Sequence, residues 1–244
     1  MNLEQKMPTI KQDHLPRHVV IIPDGNRRWA MERDLEPWEG HEVGAKNTEK
    51  LIRAARALGI REISFWGSSL ENLAKRPAVE SKELLRIYET YFKQLLESED
   101  IHKDEAHIRF IGRWEEQFPV SLKKIMHACL EATKGYRRHF LNFFLAYSGD
   151  DDMRQAVQKI AADLSPGDMV TDALIKEHLM TRELPPVDLL IRTGGEPHLS
   201  AGFMMWDIAN AQLYFSDKHY PNFDEAAFRE AITDYAARGR RFGR

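Results

Sequence analysis

The first polar residues that could carry out chemistry lie at positions 24–29, directly after an apolar run, and read Asp-Gly-Asn-Arg-Arg-Trp. A carboxylate at the end of a predicted strand, a glycine and a predicted helix start together favour an anion site. A helix terminus contributes at most about 2 kcal/mol toward an anion, so a cation is also expected. Asp24 is the candidate Mg²⁺ ligand, and Arg27 and Arg28 are candidate phosphate donors. On this segment alone, Asp24 could equally be a helix cap.

A second cluster spans residues 192–200 and combines an arginine, a histidine, two hydroxyl side chains and two glycines. This composition suits a phosphate group, and the alternative is an ordinary surface loop. The chain has neither the P-loop pattern nor a glycine-rich dinucleotide fingerprint after its first strand, which disfavours the usual ATP and NAD sites. Two such loops in one chain favour an enzyme that handles two phosphate groups.

A third cluster contains Ser68, Ser69, Glu71 and Asn72, which could orient a proton transfer or hold a diphosphate, although these residues are also common in loops. His41 precedes a predicted helix and could donate to phosphate or cap that helix. The single cysteine excludes an intramolecular disulfide and a multi-cysteine metal site, and it is interpreted as a small buried residue.

The elements that must position these clusters alternate between strands and helices. The predicted strands are 18–22, 62–66, 107–111, 140–147, 187–191 and 212–215. The predicted helices are 42–58, 81–98, 119–133, two that begin near 152 and 172, and 224–241 with Asp224 as N-cap. This alternation predicts an α/β fold with a parallel sheet, in which ligands bind beyond the carboxyl ends of the strands. All three clusters follow strands, so one site is predicted.

Composition limits the class of protein and its partners. With 43% hydrophobic and 30% charged residues, the chain is typical of a globular protein, and its 244 residues suit one domain, predicted at 17–244 after a polar extension at 1–16. A formal charge of −3 disfavours nucleic acid as a partner. The longest apolar run, 140–147, is too short to cross a membrane, so we predict a cytoplasmic protein whose membrane contact is peripheral, at the inner face.

Together, these segments resemble the cis-prenyltransferase family, which includes undecaprenyl diphosphate synthase and dehydrodolichyl diphosphate synthase. The resemblance covers nearly the whole chain. It rests on residues 18–29 with their D-G-N-x-R-W core, Gly40-His41 with Gly44, 69–72, 142–149, 188–196, Trp206, 213–215 and 240–243.

The resemblance implies a single catalytic domain with a mainly parallel six-stranded sheet flanked by helices, a hydrophobic tunnel and a homodimer. It implies Mg²⁺-dependent condensation of isopentenyl diphosphate onto an allylic diphosphate primer, such as farnesyl or geranylgeranyl diphosphate. The product would be a cis-polyprenyl diphosphate that serves as a lipid-carrier precursor, such as undecaprenyl diphosphate.

The resemblance also implies roles for individual residues. Asp24 would bind Mg²⁺ and trigger loss of the allylic diphosphate, and Asn72 would assist proton removal. The allylic group would be bound by Gly25, Asn26, Arg28 and His41, and isopentenyl diphosphate by Arg192 and Ser200. Further substrate-binding candidates are Trp29, Ser69, Glu71, Arg76, His198, Arg241 and Gly243, of which the last two form a C-terminal R-x-G element often supplied by a partner subunit.

Several positions depart from the family pattern. Pro37 and His198 replace arginines, Leu73 replaces a tryptophan, and Gln212 replaces the glutamate that helps hold Mg²⁺, although Gln212 stays a candidate metal ligand. Either Lys75 or Arg76 matches the basic residue beyond Asn72. Two alternatives remain open: a non-catalytic subunit of a heteromeric prenyltransferase, and a phosphate-ester hydrolase that uses Asp24 as nucleophile or metal ligand.

Overall fold

A computed structural model describes residues 11–238 as helices packed around one six-stranded sheet. The strands are β1 (His18–Ile22), β2 (Glu62–Trp66), β3 (Ala106–Ile111), β4 (His139–Phe144), β5 (Leu189–Arg192) and β6 (Gln212–Phe215). They lie in the order β3-β4-β2-β1-β5-β6, and every pair is parallel. The predicted fold class is therefore confirmed. The division at residue 16 stays a prediction, and residues 1–10 lie outside the described part of the chain.

Ten helices surround this sheet in the described part of the chain. They are α1 (Asn26–Met31), α2 (Pro37–Leu58), α3 (Leu70–Lys75), α4 (Ala78–Glu97), α5 (Glu99–Lys103), α6 (Trp114–Gln117), α7 (Val120–Thr133), α8 (Gly149–Asp163), α9 (Asp172–His178) and α10 (Glu225–Arg238). The predicted cap of α10 is confirmed, because the Asp224 Oδ1 atom accepts a hydrogen bond from the Ala227 amide at 2.9 Å. None of these helices combines the length and apolar content needed to cross a membrane.

Several predicted boundaries were wrong, and three of them bear on the position of polar residues. Helix α2 begins at Pro37, where Glu36 and Glu39 form a capping box, so His41 lies inside the helix and not before it. Strand β4 ends at Phe144, because Ala146 adopts a left-handed φ of 50° and turns the chain away. Strand β5 extends to Arg192, which pairs with both Ile22 and Phe215.

Successive side chains of each strand point to opposite faces of the sheet, and both faces are buried. Val19 and Ile21 of β1 point into the larger core, between the sheet and helices α2, α4, α7 and α10. Val20 and Ile22 point into a smaller core that the segment 201–210 covers, where Phe203 stacks on Trp66 with centroids 4.8 Å apart. Because both faces are covered, β1 is a continuous apolar run without alternation. Cys129 is fully buried in α7, as predicted.

A buried histidine makes stability depend on pH. The His18 ring is fully buried, with Nε2 2.8 Å from Ser64 Oγ, and burial lowers its pKa to about 4. The unfolded chain, whose histidine has the ordinary pKa of about 6.5, therefore binds protons first as pH falls, and stability is lost from about pH 6.5 downward. By this group alone, we expect a loss of about 2 kcal/mol between pH 6.5 and 5.

Urea unfolding at a series of pH values measures this loss. His18→Gln should make the loss of stability between pH 6.5 and 5 smaller, whereas His127→Gln, at an exposed histidine beside Glu115, should leave it unchanged. If the free energy of unfolding fell equally with pH in the wild type and in both variants, the assignment of the loss to His18 would be contradicted.

Candidate active site

Loops after three adjacent strands meet at one edge of the sheet. Strand β1 lies between β2 and β5, and all three run parallel. The loops that follow them, at 23–25, 67–69 and 193–200, therefore emerge side by side at the carboxyl edge. The structure places the three predicted polar clusters around one cavity there.

Asp24 is at the centre of this edge. Its Oδ1 atom accepts a hydrogen bond from the Gly25 amide at 2.6 Å and lies 3.4 Å from an Arg28 guanidinium nitrogen. Its Oδ2 atom accepts a hydrogen bond from Arg192 at 2.8 Å. The side chain is 32% exposed, so it stays accessible to a ligand. The first and second polar clusters of the sequence are thus in direct contact through Asp24.

Arg192 is buried at the end of β5, with 5% of its surface exposed. One guanidinium nitrogen donates to Asp24 and another to the His198 carbonyl oxygen, while its buried Nε–H has no hydrogen-bond partner in the described chain. The Thr193 hydroxyl donates to the Asp24 carbonyl oxygen at 2.7 Å and fixes the two loops relative to each other. A fixed, desolvated guanidinium of this kind suits recognition of a phosphate.

Helix α2 packs tightly against the Asp24 loop through two glycines. A Cβ atom at Gly40 would lie 2.1 Å from the Asn26 carbonyl oxygen, and one at Gly44 would lie 2.4 Å from Asn26 Oδ1. Asn26 also donates from its side chain to the Pro23 carbonyl oxygen at 2.8 Å, whereas its buried Oδ1 accepts no hydrogen bond from any residue that the structure describes. The two glycines therefore determine how close α2 and its His41 come to the loop.

His41 faces the cavity as a neutral ring. Burial, with smaller contributions from the Arg76 and Arg27 cations, lowers its pKa to about 3. Within residues 11–238, its buried Nε2 atom has no hydrogen-bond partner. A bound anion beside this ring would oppose the two arginines, so phosphate binding should raise the pKa of His41.

Sequence reasoning missed Glu80, whose carboxylate lies close to the basic side chains on this side of the cavity. Its Oε1 atom lies 3.5 Å from Arg27 Nε, 3.5 Å from Arg76 Nε and 3.9 Å from His41 Nε2, and the residue is 3% exposed. The only signal in the sequence is the i,i+4 spacing from Arg76, which is more typical of a surface ion pair. Glu80 does not line the cavity, so we interpret it as a positioning residue for the two arginines.

We expect Glu80→Gln to raise the KM for a phosphate-bearing substrate in this cavity about tenfold, because a neutral amide holds Arg76 and Arg27 less firmly. The expected change in kcat is smaller. Steady-state kinetics measure both, and Glu83→Gln is the matched control, since Glu83 lies on the same helix and pairs with Arg86 at the surface. A lower KM in Glu80→Gln would mean that Glu80 only neutralises the arginines.

The loop after β2 brings polar groups to the cavity. Ser69 caps α3, and its Oγ atom accepts a hydrogen bond from the Asn72 amide at 3.0 Å. Asn72, Lys75 and Arg76 all line the cavity, so both candidates for the basic residue beyond Asn72 are present. Arg76 is the more buried of the two and is held by Glu80, whereas Lys75 pairs with Glu71 at the surface.

The cavity has a volume of about 620 Å³, within the range of about 300–1,000 Å³ typical of small-molecule sites. Its mouth is polar and includes the candidates Asp24, Gly25, Asn26, Arg28, His41, Ser69, Asn72, Arg76, Arg192 and Ser200. Its interior lies between the sheet and helices α2 and α4, and is lined by Thr48, Phe65, Leu84, Ile87, Tyr88, Tyr91, Phe92, Phe143 and Leu145. The apolar face of α4 therefore both packs in the core and lines the cavity.

Four candidates lie away from this cavity. Trp29 donates to Asn222 Oδ1 at 2.9 Å, Glu71 is exposed at the surface, and His198 contributes only its carbonyl oxygen to Arg192. Gln212 is the first residue of β6 and pairs with Leu189, near the opposite edge of the sheet from Asp24. One chain therefore does not bring Gln212 and Asp24 together. Arg241 and Gly243 lie outside the described residues.

The donor set at the mouth fits a magnesium ion held jointly with substrate. Among residues 11–238, no group of three or more histidine, cysteine, aspartate or glutamate side chains could form an all-protein metal cage. Mg²⁺ commonly uses one or two carboxylates together with substrate phosphates, and Asp24 supplies one accessible carboxylate beside the guanidinium groups of Arg28 and Arg192.

The cavity has an arginine-rich mouth and an apolar interior, and it lies at the edge of a parallel α/β sheet. These features are typical of a class of proteins that bind an anionic head group attached to a hydrocarbon. Comparison with known proteins supports this class. Residues 22–243 match the family model described as undecaprenyl diphosphate synthase.

Two curated relatives and one solved structure illustrate the match. The chain is 38% identical to a geranylgeranyl-diphosphate-specific tritrans,polycis-undecaprenyl-diphosphate synthase of Methanopyrus kandleri, over 99% of this chain and 89% of the relative. It is also 38% identical to an isoprenyl transferase of Shouchella clausii, over 98% of this chain and 93% of the relative. A lavandulyl diphosphate synthase from Lavandula x intermedia, crystallised with dimethylallyl diphosphate, superposes with a TM-score of 0.87 at 33% identity, covering 96% of this chain and all of that one.

The chain therefore belongs to the undecaprenyl diphosphate synthase family of cis-prenyltransferases. The recognition from sequence motifs is confirmed, and the protein is a prenyltransferase enzyme.

Proposed function

We propose that this prenyltransferase condenses isopentenyl diphosphate onto an allylic diphosphate primer in the presence of Mg²⁺. The observation that carries the proposal is the contact of Asp24 with Arg192, from loops after two different strands, at the mouth of an apolar cavity. Two separate sets of phosphate donors beside one hydrocarbon pocket suit two diphosphates, of which one carries the growing chain.

In this proposal the mouth of the cavity separates the two head groups. Gly25, Asn26, Arg28 and His41 hold the allylic diphosphate on the α1 and α2 side, and Arg192 and Ser200 hold isopentenyl diphosphate on the β5 side. Asp24, between them, would hold the Mg²⁺ ion, which when bound neutralises the departing diphosphate. Trp29, Glu71 and His198 do not line the cavity, so the proposal gives them no contact with a substrate.

The chain's own residues then have two tasks. Arg28 stabilises the negative charge of the diphosphate as the allylic C–O bond breaks, and Asp24 would hold the Mg²⁺ ion that shares this task. The apolar cavity excludes water from the allylic carbon. A new carbon–carbon bond forms between the allylic carbon and isopentenyl diphosphate. The isopentenyl unit then loses a proton, which passes to the released diphosphate or to polar groups near Asn72. Asn72, at the start of α3, orients that transfer.

For the primer, we propose an allylic diphosphate such as farnesyl or geranylgeranyl diphosphate, and the name of the Methanopyrus kandleri relative supports the latter.

We also propose a homodimer. The edge strand β6 exposes Leu213 and Phe215, at 37% and 38%, and exposed apolar side chains on an edge strand favour a partner. Light scattering on the purified protein tests the dimer.

One assay separates this function from its alternatives. Purified full-length protein is incubated with isopentenyl diphosphate, Mg²⁺ and geranyl, farnesyl or geranylgeranyl diphosphate in turn, and the dephosphorylated products are separated by chromatography. A cis-prenyltransferase extends the primers. A non-catalytic subunit makes no product alone, and a phosphate-ester hydrolase releases phosphate without extending any primer.

A further inference from the structure

The loop after β6, residues 216–220, lies against both of the polar loops that flank Asp24 and Arg192. The Gly194 amide donates a hydrogen bond to the Lys218 carbonyl oxygen at 2.8 Å. The Tyr220 amide donates to the Asp24 carbonyl oxygen at 3.0 Å. Strand β6, whose first residue lies away from Asp24, thus reaches the site through the loop that follows it.

The His219 side chain of this loop packs directly on Gly25. Gly25 has a φ of 99°, a conformation that glycine adopts readily because it has no Cβ. A Cβ atom at this position would lie 2.6 Å from His219 Nδ1 and 3.0 Å from His219 Cα. The histidine therefore fills the space beside the turn, and any side chain at position 25 would have to displace it.

Glu32, directly after α1, holds the histidine ring in this position. His219 Nε2 lies 2.8 Å from Glu32 Oε1, and because an ionised carboxylate only accepts, the imidazole is the donor. This hydrogen bond holds the pKa of Glu32 below its usual range. The other ring nitrogen, Nδ1, is buried and has no hydrogen-bond partner within residues 11–238. One side of the ring is thus anchored by Glu32, and the other lies against Gly25.

The turn at Gly25 in its place orients the Asp24 carboxylate. The Gly25 amide donates to Asp24 Oδ1 at 2.6 Å, so the direction of this N–H determines where the carboxylate points. Without the His219 ring, a gap would lie beside a glycine whose backbone can adopt other conformations. The side chains of Glu32 and His219 do not line the cavity, so any effect they have on Asp24 passes through Gly25.

We propose that His219 is a positioning residue for catalysis, which holds the Gly25 turn and thereby the Asp24 carboxylate, and that Glu32 holds His219. This rests on the proposed function, in which Asp24 would hold the Mg²⁺ ion. Neither His219 nor Glu32 has to touch a substrate. A displacement of about 1 Å caused by a mutation far from the chemistry can cost about 100-fold in rate, so a contact outside the cavity can determine turnover.

Steady-state kinetics of full-length variants test the catalytic part. We expect His219→Ala to lower kcat about 10- to 100-fold with a smaller change in the KM for the primer. His219→Gln keeps an N–H donor for Glu32 and should recover part of the loss. Glu32→Ala should lower kcat less than His219→Ala, and adding it to His219→Ala should cause no further loss, because both residues act on Gly25 through one contact.

His178→Ala is the matched control. Its side chain is 16% exposed, against 17% for His219, and its Nε2 lies 3.3 Å from the Asp163 carboxylate. Helix α9, which carries His178, does not line the cavity. This variant should keep the wild-type kcat whatever stability it loses.

A second readout depends neither on activity nor on metal. Asp24-Gly25 is the single Asp-Gly pair in the sequence, so labelling aspartate with carbonyl ¹³C and glycine with ¹⁵N selects the Gly25 amide in an NMR spectrum. We expect this amide to exchange with solvent at least about tenfold faster in His219→Ala than in the wild type or in His178→Ala. Thermal unfolding reports the folding of each variant.

Folded His219→Ala with the wild-type kcat, or with an unchanged exchange rate of the Gly25 amide, would overturn the inference. An equal fall of kcat in His178→Ala would overturn it too, because the loss would then follow from stability. If His219→Ala does not fold, Glu32→Ala decides in the same way, since it releases the ring and leaves it present. A wild type that extends no primer would refute the proposed function, whereas the exchange rate of Gly25 would still show whether His219 holds the turn.

Discussion

Asp24→Asn is expected to lower kcat about 10²- to 10³-fold, which is the range found when one group that stabilises transition-state charge is removed. The neutral amide oxygen is a weaker ligand for Mg²⁺ than a carboxylate. The fold should survive, because the side chain is partly exposed and an amide oxygen can still accept the hydrogen bond from Gly25. Single-turnover extension of a labelled primer measures the loss.

Binding of the allylic diphosphate in the absence of Mg²⁺ distinguishes a catalytic role of Asp24 from structural damage to the site by the substitution. Asp24 contacts both Arg28 and Arg192, so its neutralisation frees two guanidinium groups for phosphate. We therefore expect Mg²⁺-free binding of the allylic diphosphate, measured by calorimetry, to stay the same or tighten in Asp24→Asn. Asp34→Asn is a matched control on an exposed residue with a φ of 55°, a conformation that asparagine tolerates. Turnover above a tenth of wild type at saturating Mg²⁺ would contradict the role given to Asp24.

The location of the site followed from sequence because it depends on topology. Once β1, β2 and β5 are predicted to be parallel strands, the clusters that begin at Asp24, Ser68 and Arg192 must emerge at the same edge. The residues that would hold an anion are polar and lie near glycines, so the sequence alone identifies them as candidates. The sequence could not give the strand order, which places β1 between the other two and brings Asp24 against Arg192.

Features that depend on distant packing were missed for physical reasons. Glu80 looks like half of a helical surface pair, and only tertiary structure buries it among Arg27, Arg76 and His41. Tyr91 belongs to an apolar stripe whose pattern is the same whether it meets core or cavity. Gln212 matches a family position in sequence, yet strand register places it at the start of β6, away from Asp24.

Arg192→Lys is expected to raise the KM for isopentenyl diphosphate about 10- to 100-fold, since each hydrogen bond to a charged group contributes about 1.5–3 kcal/mol. Lysine keeps the positive charge but is a compact point charge without the planar fork with which Arg192 binds Asp24 and the His198 carbonyl oxygen together. It would have to leave one of these partners to reach a phosphate. Initial rates at varied isopentenyl diphosphate and saturating primer measure the effect.

The two diphosphates should respond differently to Arg192→Lys, and this difference distinguishes a binding role from a structural one. The affinity for the allylic diphosphate, which the proposal assigns to Gly25, Asn26, Arg28 and His41, should change far less than the KM for isopentenyl diphosphate. Arg229→Lys is the matched control, because Arg229 contacts Glu225 through two nitrogens at 3.0 and 2.7 Å on α10, whose residues do not line the cavity. Equal losses for both diphosphates would mean that Arg192 acts by holding Asp24 in place, and no loss for either would remove Arg192 from the binding site.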